Sequence, residues 1–131
     1  MTALAANWRI QIKNSTGATS GAVSVKGKRW VPGSSGEINF EDSEQTFASD
    51  TTIASGAYLS GSSISNDGVG EGYHGVQLSI SITNGSSAGN YELYLQHSSD
   101  GGTTWPDAGE GELIGVVNVG ASATKKTSLV I

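Results

Sequence analysis

Apolar and polar residues alternate along several short stretches of the chain. In residues 7–14 (NWRIQIKN) and 75–85 (GVQLSISITNG), every second side chain along most of the stretch is apolar and the intervening ones are polar or charged. Residues 90–98 (NYELYLQHS) repeat this period of two, which is typical of a strand with one buried face. Weaker strand signals follow the same period in residues 22–32, 36–42, 51–66, 111–120 and 124–131.

This pattern predicts an all-β fold, in which residues 1–131 form a single β-sandwich domain of about eight short strands. The jelly-roll type is the expected arrangement, and residues 1–6 are a candidate flexible N-terminal arm. Gly27 interrupts the alternation of its stretch, which indicates a bulge or a short hairpin. Asn84 and Gly85 are predicted to form a turn, because both residue types tolerate positive φ.

Composition supports this fold class and narrows the function. The 131 residues include 19 glycines and no cysteine. Turns are therefore expected to be frequent, and thiol catalysis, thiolate metal sites and disulfides are excluded. No apolar run approaches the roughly eighteen residues of a membrane helix, and MTALAANWRI does not have the pattern of a signal peptide. We expect a protein made in a cytoplasm, with no membrane partner.

Formal charges are distributed unevenly along the chain, whose net charge is −5. Every charged residue up to Gly36 is basic and every one from Glu37 to Glu112 is acidic, with Lys125 and Lys126 near the C-terminus. Terminal strands of a sandwich often lie side by side, so this division suggests a basic face that docks on an acidic protein surface. Solvated strand faces without a partner are the alternative. The predicted docking residues are Arg9, Lys13, Lys26, Lys28 and Arg29.

Nucleic acid is not expected as a partner. The basic residues are few and scattered through an acidic chain, which makes a poor phosphate-binding stripe.

The most motif-like stretch is SSDGGTTWPD, residues 98–107. Ser98, Asp100, Gly102, Thr104 and Trp105 match the Asp box, a hairpin signature of sialidases and other β-propeller glycan hydrolases. In those enzymes the box is structural and recurs once per blade, whereas here it occurs once, in a chain too short for a propeller. We therefore expect a structural hairpin, in which Ser98 and Asp100 accept hydrogen bonds from loop N–H groups and Trp105 folds back as an apolar plug.

Other candidate sites lack the context that their chemistry requires. GEGYHG, residues 70–75, matches the dinucleotide fingerprint by letters, but a strand follows it instead of a helix. His74 and His97 have no evident nucleophile or orienting partner for a catalytic triad. Two groups of acidic side chains could hold calcium, and the first of them could also supply an acid/base pair for catalysis. Solvated side chains are the simpler interpretation of both groups. The two groups are Asp107, Glu110 and Glu112, and Glu41, Asp42 and Glu44. No enzyme activity, cofactor or metal is predicted.

Two segments carry a family resemblance. In SISNDGVGEGYHGVQLSISITNG, a short Asn/Asp turn precedes an amphipathic strand. In GNYELYLQHSSDGGTTWPDAGEGELIGVV, a Y-x-L-Y-like strand precedes S-x-D-G-G-T-x-W-P and a Gly-rich acidic loop. The region from about Gly56 to Ala123, roughly half of the chain, resembles small β-rich virion proteins of tailed bacteriophages. The resemblance implies a structural role in the virion, with no catalytic residues.

From this resemblance we expect a capsid decoration (cement) protein, with a component of the tail or neck as an alternative. Its partner would be the major capsid protein or another virion protein. Decoration proteins commonly cluster at symmetry axes, so a homo-oligomer is expected, with a trimer preferred. A carbohydrate-binding module is the alternative from another class, because exposed aromatic side chains could stack on sugar rings. The candidates for stacking are Tyr58, Tyr73, Tyr94 and Trp105.

Overall fold

The computed structural model describes residues 6–16, 21–66 and 72–131, and in these ranges the chain forms ten β-strands and no helix. The described part therefore has no helix that could cross a membrane. Most of the candidate N-terminal arm, and the first two residues of GEGYHG, lie outside the described residues. The strands are β1 (Asn7–Asn14), β2 (Gly21–Pro32), β3 (Ile38–Phe40), β4 (Gln45–Ile53), β5 (Tyr58–Ser60), β6 (Ile64–Ser65), β7 (Gly75–Asn84), β8 (Gly89–Ser98), β9 (Glu112–Val119) and β10 (Thr124–Val130).

The strands form two antiparallel sheets that pack face to face. Sheet A has the order β5-β1-β8-β9, and β6 pairs with β1 beyond the end of β5. Sheet B has the order β10-β7-β2-β3, and β4 also pairs with β2. The predicted all-β sandwich is confirmed, with ten strands in place of about eight, and β4 lies largely outside the stretches that carry a strand signal. The jelly-roll type is not confirmed, because β1 and β10 lie in different sheets and not side by side.

The period-two alternation places the apolar side chains between the sheets. Trp8 of sheet A is fully buried, its ring centroid lies 5.2 Å from that of Phe47, and its indole N–H donates to Asn66 Oδ1 at 3.1 Å. Burial of each large side chain contributes roughly 1.5–3 kcal/mol to folding. The fully buried aliphatic residues are Ile10, Ile12, Val25, Val76, Leu78, Ile82, Leu93 and Leu95.

Gly27 lies next to an irregularity in strand pairing, close to the position at which the sequence predicts a bulge or a short hairpin. The β2–β4 pairing changes register between Val25 and Lys26, and the extra residue is Phe47 in β4. Strand β2 itself continues without interruption to Pro32. A Cβ on Gly27 would lie 2.1 Å from the Gln77 carbonyl oxygen, so the glycine permits close approach of β7.

The predicted positive-φ turn at Asn84-Gly85 is wrong. Neither residue is among the described residues with positive φ, and the segment carries the chain from β7 in sheet B to β8 in sheet A. Asn84 is buried, where its Oδ1 accepts a hydrogen bond from the Tyr91 hydroxyl at 2.8 Å and its Nδ2 donates to Ser87 O at 2.7 Å. The asparagine therefore bridges the two sheets with its side chain.

Candidate functional site

The Asp-box stretch forms the loop between β8 and β9, which pair as a hairpin. Ser98 Oγ accepts from the Gly102 N–H at 2.9 Å and donates to Asp100 Oδ1 at 2.8 Å. The same Asp100 oxygen accepts from the Thr104 N–H at 2.8 Å, and the Trp105 indole donates to Gly102 O at 3.0 Å. These polar groups are therefore occupied in holding the loop's own backbone.

Local conformation and charge agree with this structural role. Gly101 and Gly102 have φ of 74° and 89°, a region that residues with a Cβ rarely adopt. Hydrogen bonds from Thr104, and then from Ser98, lower the pKa of Asp100 from 3.8 to about 2. The loop is built around an ionised carboxylate.

Asp100 is expected to titrate near pH 2 in the folded protein. Because its unfolded pKa is about 3.9, the ionised carboxylate stabilises the loop above about pH 4, and this stabilisation is lost as the pH falls through about 2. Carboxyl-carbon NMR shifts followed during an acid titration would measure the midpoint. The Thr104→Val variant should titrate at a higher pH, and a wild-type midpoint near 4 would contradict the assignment.

Beyond the box, the loop folds back over the outer face of sheet A. Gln96 is fully buried there, and its Nε2 donates to Glu110 O at 3.0 Å and Asp107 O at 3.1 Å. Gln11 is also buried, and its Oε1 accepts from the Gly109 N–H at 2.9 Å. Two glutamines on a nominally outward strand face thus bind the loop backbone. Sequence alternation alone would assign both to solvent.

The five predicted docking residues do not form one face. Arg9 and Lys13 extend from the outer face of sheet A, whereas Lys26 and Lys28 extend from the outer face of sheet B on the opposite side of the sandwich. Arg29 lies near one end of β2. The alternation in β1 directs Arg9 and Lys13 outward, and that in β2 directs Lys26 and Lys28 outward. Because β1 and β2 belong to different sheets, the two pairs lie on opposite faces of the sandwich.

Four of these cations have intramolecular partners, and the partner of Lys28 is the Asp42 carbonyl oxygen, to which its ammonium donates at 3.0 Å. The Arg9 guanidinium lies 4.6 Å from the Trp105 ring centroid, and the Lys13 ammonium 5.6 Å from that of Tyr58. Arg29 forms an ion pair with Glu41 at 2.8 Å. Burial raises the pKa of Glu41, but the hydrogen bonds and charge of Arg29 outweigh this and lower it overall.

Sheet B has a shallow open depression on its outer face, which we call the hydroxyl groove. Its volume is about 570 Å³. Ser79 of β7 pairs with Lys26 of β2 on one side, and Ser81 of β7 pairs with Lys126 of β10 on the other. The groove therefore has a floor of short hydroxyl side chains between two lysines. Its polar lining consists of Ser24, Lys26, Glu44, Ser79, Ser81, Lys126, Thr127 and Ser128.

Of the residues that line the groove, only Lys26 is among the predicted docking residues, and Lys126 and the serines are not. The available signal was the run of serines at the polar positions of VQLSISI, together with the lysines of TKKTSLVI. Their proximity depends on β7 lying between β2 and β10, which the alternation does not specify.

Acidic and imidazole groups do not converge in the described part of the chain. No cluster of three or more His, Asp or Glu side chains there could hold a metal ion. Glu41 binds Arg29, and both ring nitrogens of His97 are buried without a hydrogen-bond partner. His74 lies beside Trp30, with 6.3 Å between ring centroids.

The predicted sugar-stacking aromatics fall into two places. Tyr58, Tyr94 and Trp105 lie on the outer face of sheet A or on the loop that covers it, whereas Tyr73 lies under Arg29. Tyr58 is 37% exposed, and the Tyr94 hydroxyl donates to Glu92 at 2.9 Å.

Comparison of the chain with known protein families, curated proteins and solved structures gives no significant match.

Proposed function

We propose that the chain is a non-enzymatic structural protein of a tailed-bacteriophage virion, a capsid decoration protein that binds the assembled shell through the hydroxyl groove. It would be made in the host cytoplasm and reside in the virion. The resemblance of residues 56–123 supports the virion assignment. The groove supports the mode of binding, because it offers an open surface and not an enclosed pocket.

The arrangement of Lys26 and Lys126 around small side chains is the observation that carries this proposal. Serines let a partner surface approach the sheet backbone closely, and their hydroxyl groups can donate or accept hydrogen bonds. Two lysines favour a partner that presents carboxylates, such as an acidic surface of the major capsid protein or another virion protein. Electrostatic attraction would orient the chain and accelerate its binding at many equivalent positions.

Charge reversal in the groove tests the docking mode. The double variant Lys26→Glu/Lys126→Glu should bind particles lacking the protein at least about tenfold more weakly, with a flatter salt dependence, because attraction becomes repulsion. Lys13→Glu, on the opposite sheet, is the matched control and should bind as wild type. Quantitative binding to purified particles gives the answer. Unchanged occupancy of the double variant would refute the docking mode.

Copy number separates decoration from the tail or neck alternative. Hundreds of copies per purified particle fit a shell or tail-tube position, whereas a handful fit the neck or tip.

A carbohydrate-binding module remains a second candidate because Tyr58 and Tyr94 share an outer face with Lys13 and Glu92, which could bind sugar hydroxyls. A glycan array that shows no binding would remove this candidate.

A further inference from the structure

The β2–β3 hairpin projects beyond the rest of sheet B and has an apolar face. Trp30 pairs with Phe40, and Pro32 pairs with Ile38, so the four side chains share one face. The pairing of β2 with β7 ends at Trp30, leaving the hairpin tip without a third strand. Ile38 is 58% exposed and Phe40 is 45% exposed. Adjacent exposed apolar side chains on a projecting element are typical of a binding surface.

An apolar crevice opens between β9 and β10 at the other edge of the sandwich. Buried Ile80 and Leu93 contribute to its lining, together with Val116 and Leu129, and its volume is about 100 Å³. Gly115 has no side chain, so the space beside its backbone stays open. A Cβ built at this position would have only Leu129 within 4 Å, at 3.8 Å. A cavity that holds benzene measures about 150 Å³, so this crevice fits one branched aliphatic side chain.

The hairpin and the crevice cannot meet within one molecule. Strand β3 lies at one edge of sheet B and β10 at the opposite edge, where it contacts β9 of sheet A. A contact between them must therefore join two copies through different surfaces. Such a heterologous contact repeats around a closed ring, or along a filament if the rotation does not close.

Charges beside the two surfaces are complementary. Glu37 and Asp42 flank β3 and are exposed. Lys125 lines a depression next to the crevice, together with Val116 and Thr127. Opposite charges around an apolar contact fix its orientation and disfavour contact between like surfaces.

We propose that copies of the chain assemble head to tail, with Ile38 of the β2–β3 hairpin of one copy seated in the β9–β10 crevice of the next. Phe40 covers the rim beside Val116, and the hairpin carboxylates face Lys125. When the rotation between copies closes, this contact gives a ring. This contact does not use Lys26 or Lys126, although Thr127 and Ser128 line both the crevice and the hydroxyl groove.

Engineered disulfides distinguish this contact from others, because the chain contains no native cysteine. Mixing the Ile38→Cys and Val116→Cys variants under mild oxidation should give covalent dimers containing one copy of each. Either variant alone should give none, because the contact joins residue 38 to residue 116. Cross-linking of Val116→Cys with itself would indicate pairing between two β9 edges and would overturn the proposal.

Sedimentation of the purified protein tests the oligomer directly. Wild type should sediment as a ring, and Ile38→Ser/Phe40→Ser should sediment as a folded monomer with unchanged far-ultraviolet circular dichroism. Val130→Ser, an equally exposed apolar position at 58%, is the matched control and should remain a ring. A wild-type protein that is monomeric at high concentration would overturn the proposed assembly. It would not decide capsid binding, which the charge-reversal variants test.

Discussion

Replacing Trp8 with alanine should lower the free energy of unfolding by about 3–5 kcal/mol. The side chain is fully buried between the sheets and packs on Phe47, so its removal loses apolar burial and leaves a cavity. It also removes the hydrogen bond from the indole N–H to the buried Asn66 Oδ1, which contributes about 1 kcal/mol net. Denaturant unfolding followed by circular dichroism would measure the change.

Two further variants make this prediction specific. Trp8→Phe keeps most of the apolar volume and should lose less stability than alanine, which provides a folded variant if the alanine variant does not fold. Trp105→Ala removes a half-buried indole from the loop outside the core and should cost about 1 kcal/mol, the net value of its hydrogen bond. Equal losses at positions 8 and 105 would contradict the assignment of Trp8 to the core.

Strand identity and strand faces could be predicted from the sequence because both are local. Strands β1, β7 and β8 show clean alternation, and their apolar side chains are the ones buried between the sheets. The bonds of the Asp-box loop are also local, since every partner lies within residues 98–105. Residue type and short spacing are enough to suggest such contacts.

Sheet assignment could not be predicted in the same way, because it depends on pairing between distant strands. Arg9 and Lys26 occupy equivalent outward positions in β1 and β2, yet these strands lie in different sheets and their cations face apart. Lys26 and Lys126, a hundred positions apart in number, become neighbours only because β7 pairs with both of their strands. The candidate docking surface therefore differs from the one that charge distribution along the chain suggested.

Replacing Gln96 with leucine should give the second large loss of stability, because this side chain holds the loop over sheet A. The Gln96 amide donates to two loop carbonyls, and its Oε1 accepts from Arg9 Nε at 2.8 Å. Leucine keeps the volume but removes both bonds; Asp107 O still accepts from the Glu110 N–H at 2.9 Å, whereas Glu110 O loses the Gln96 donor. At about 1–3 kcal/mol for one buried group left unsatisfied, the free energy of unfolding should fall by about 1–3 kcal/mol.

Detachment of the loop would accompany this loss of stability, because the loop's contact with the outer strand face depends on the two glutamines. Residues 105–111 should become sensitive to protease, and the Trp105 emission should shift to the red as the Arg9 contact opens. Gln77→Leu, an exposed glutamine on the outer face of sheet B, is the matched control and should change stability by less than about 0.5 kcal/mol. If both variants unfold at the same denaturant concentration, the buried amide does not hold the loop.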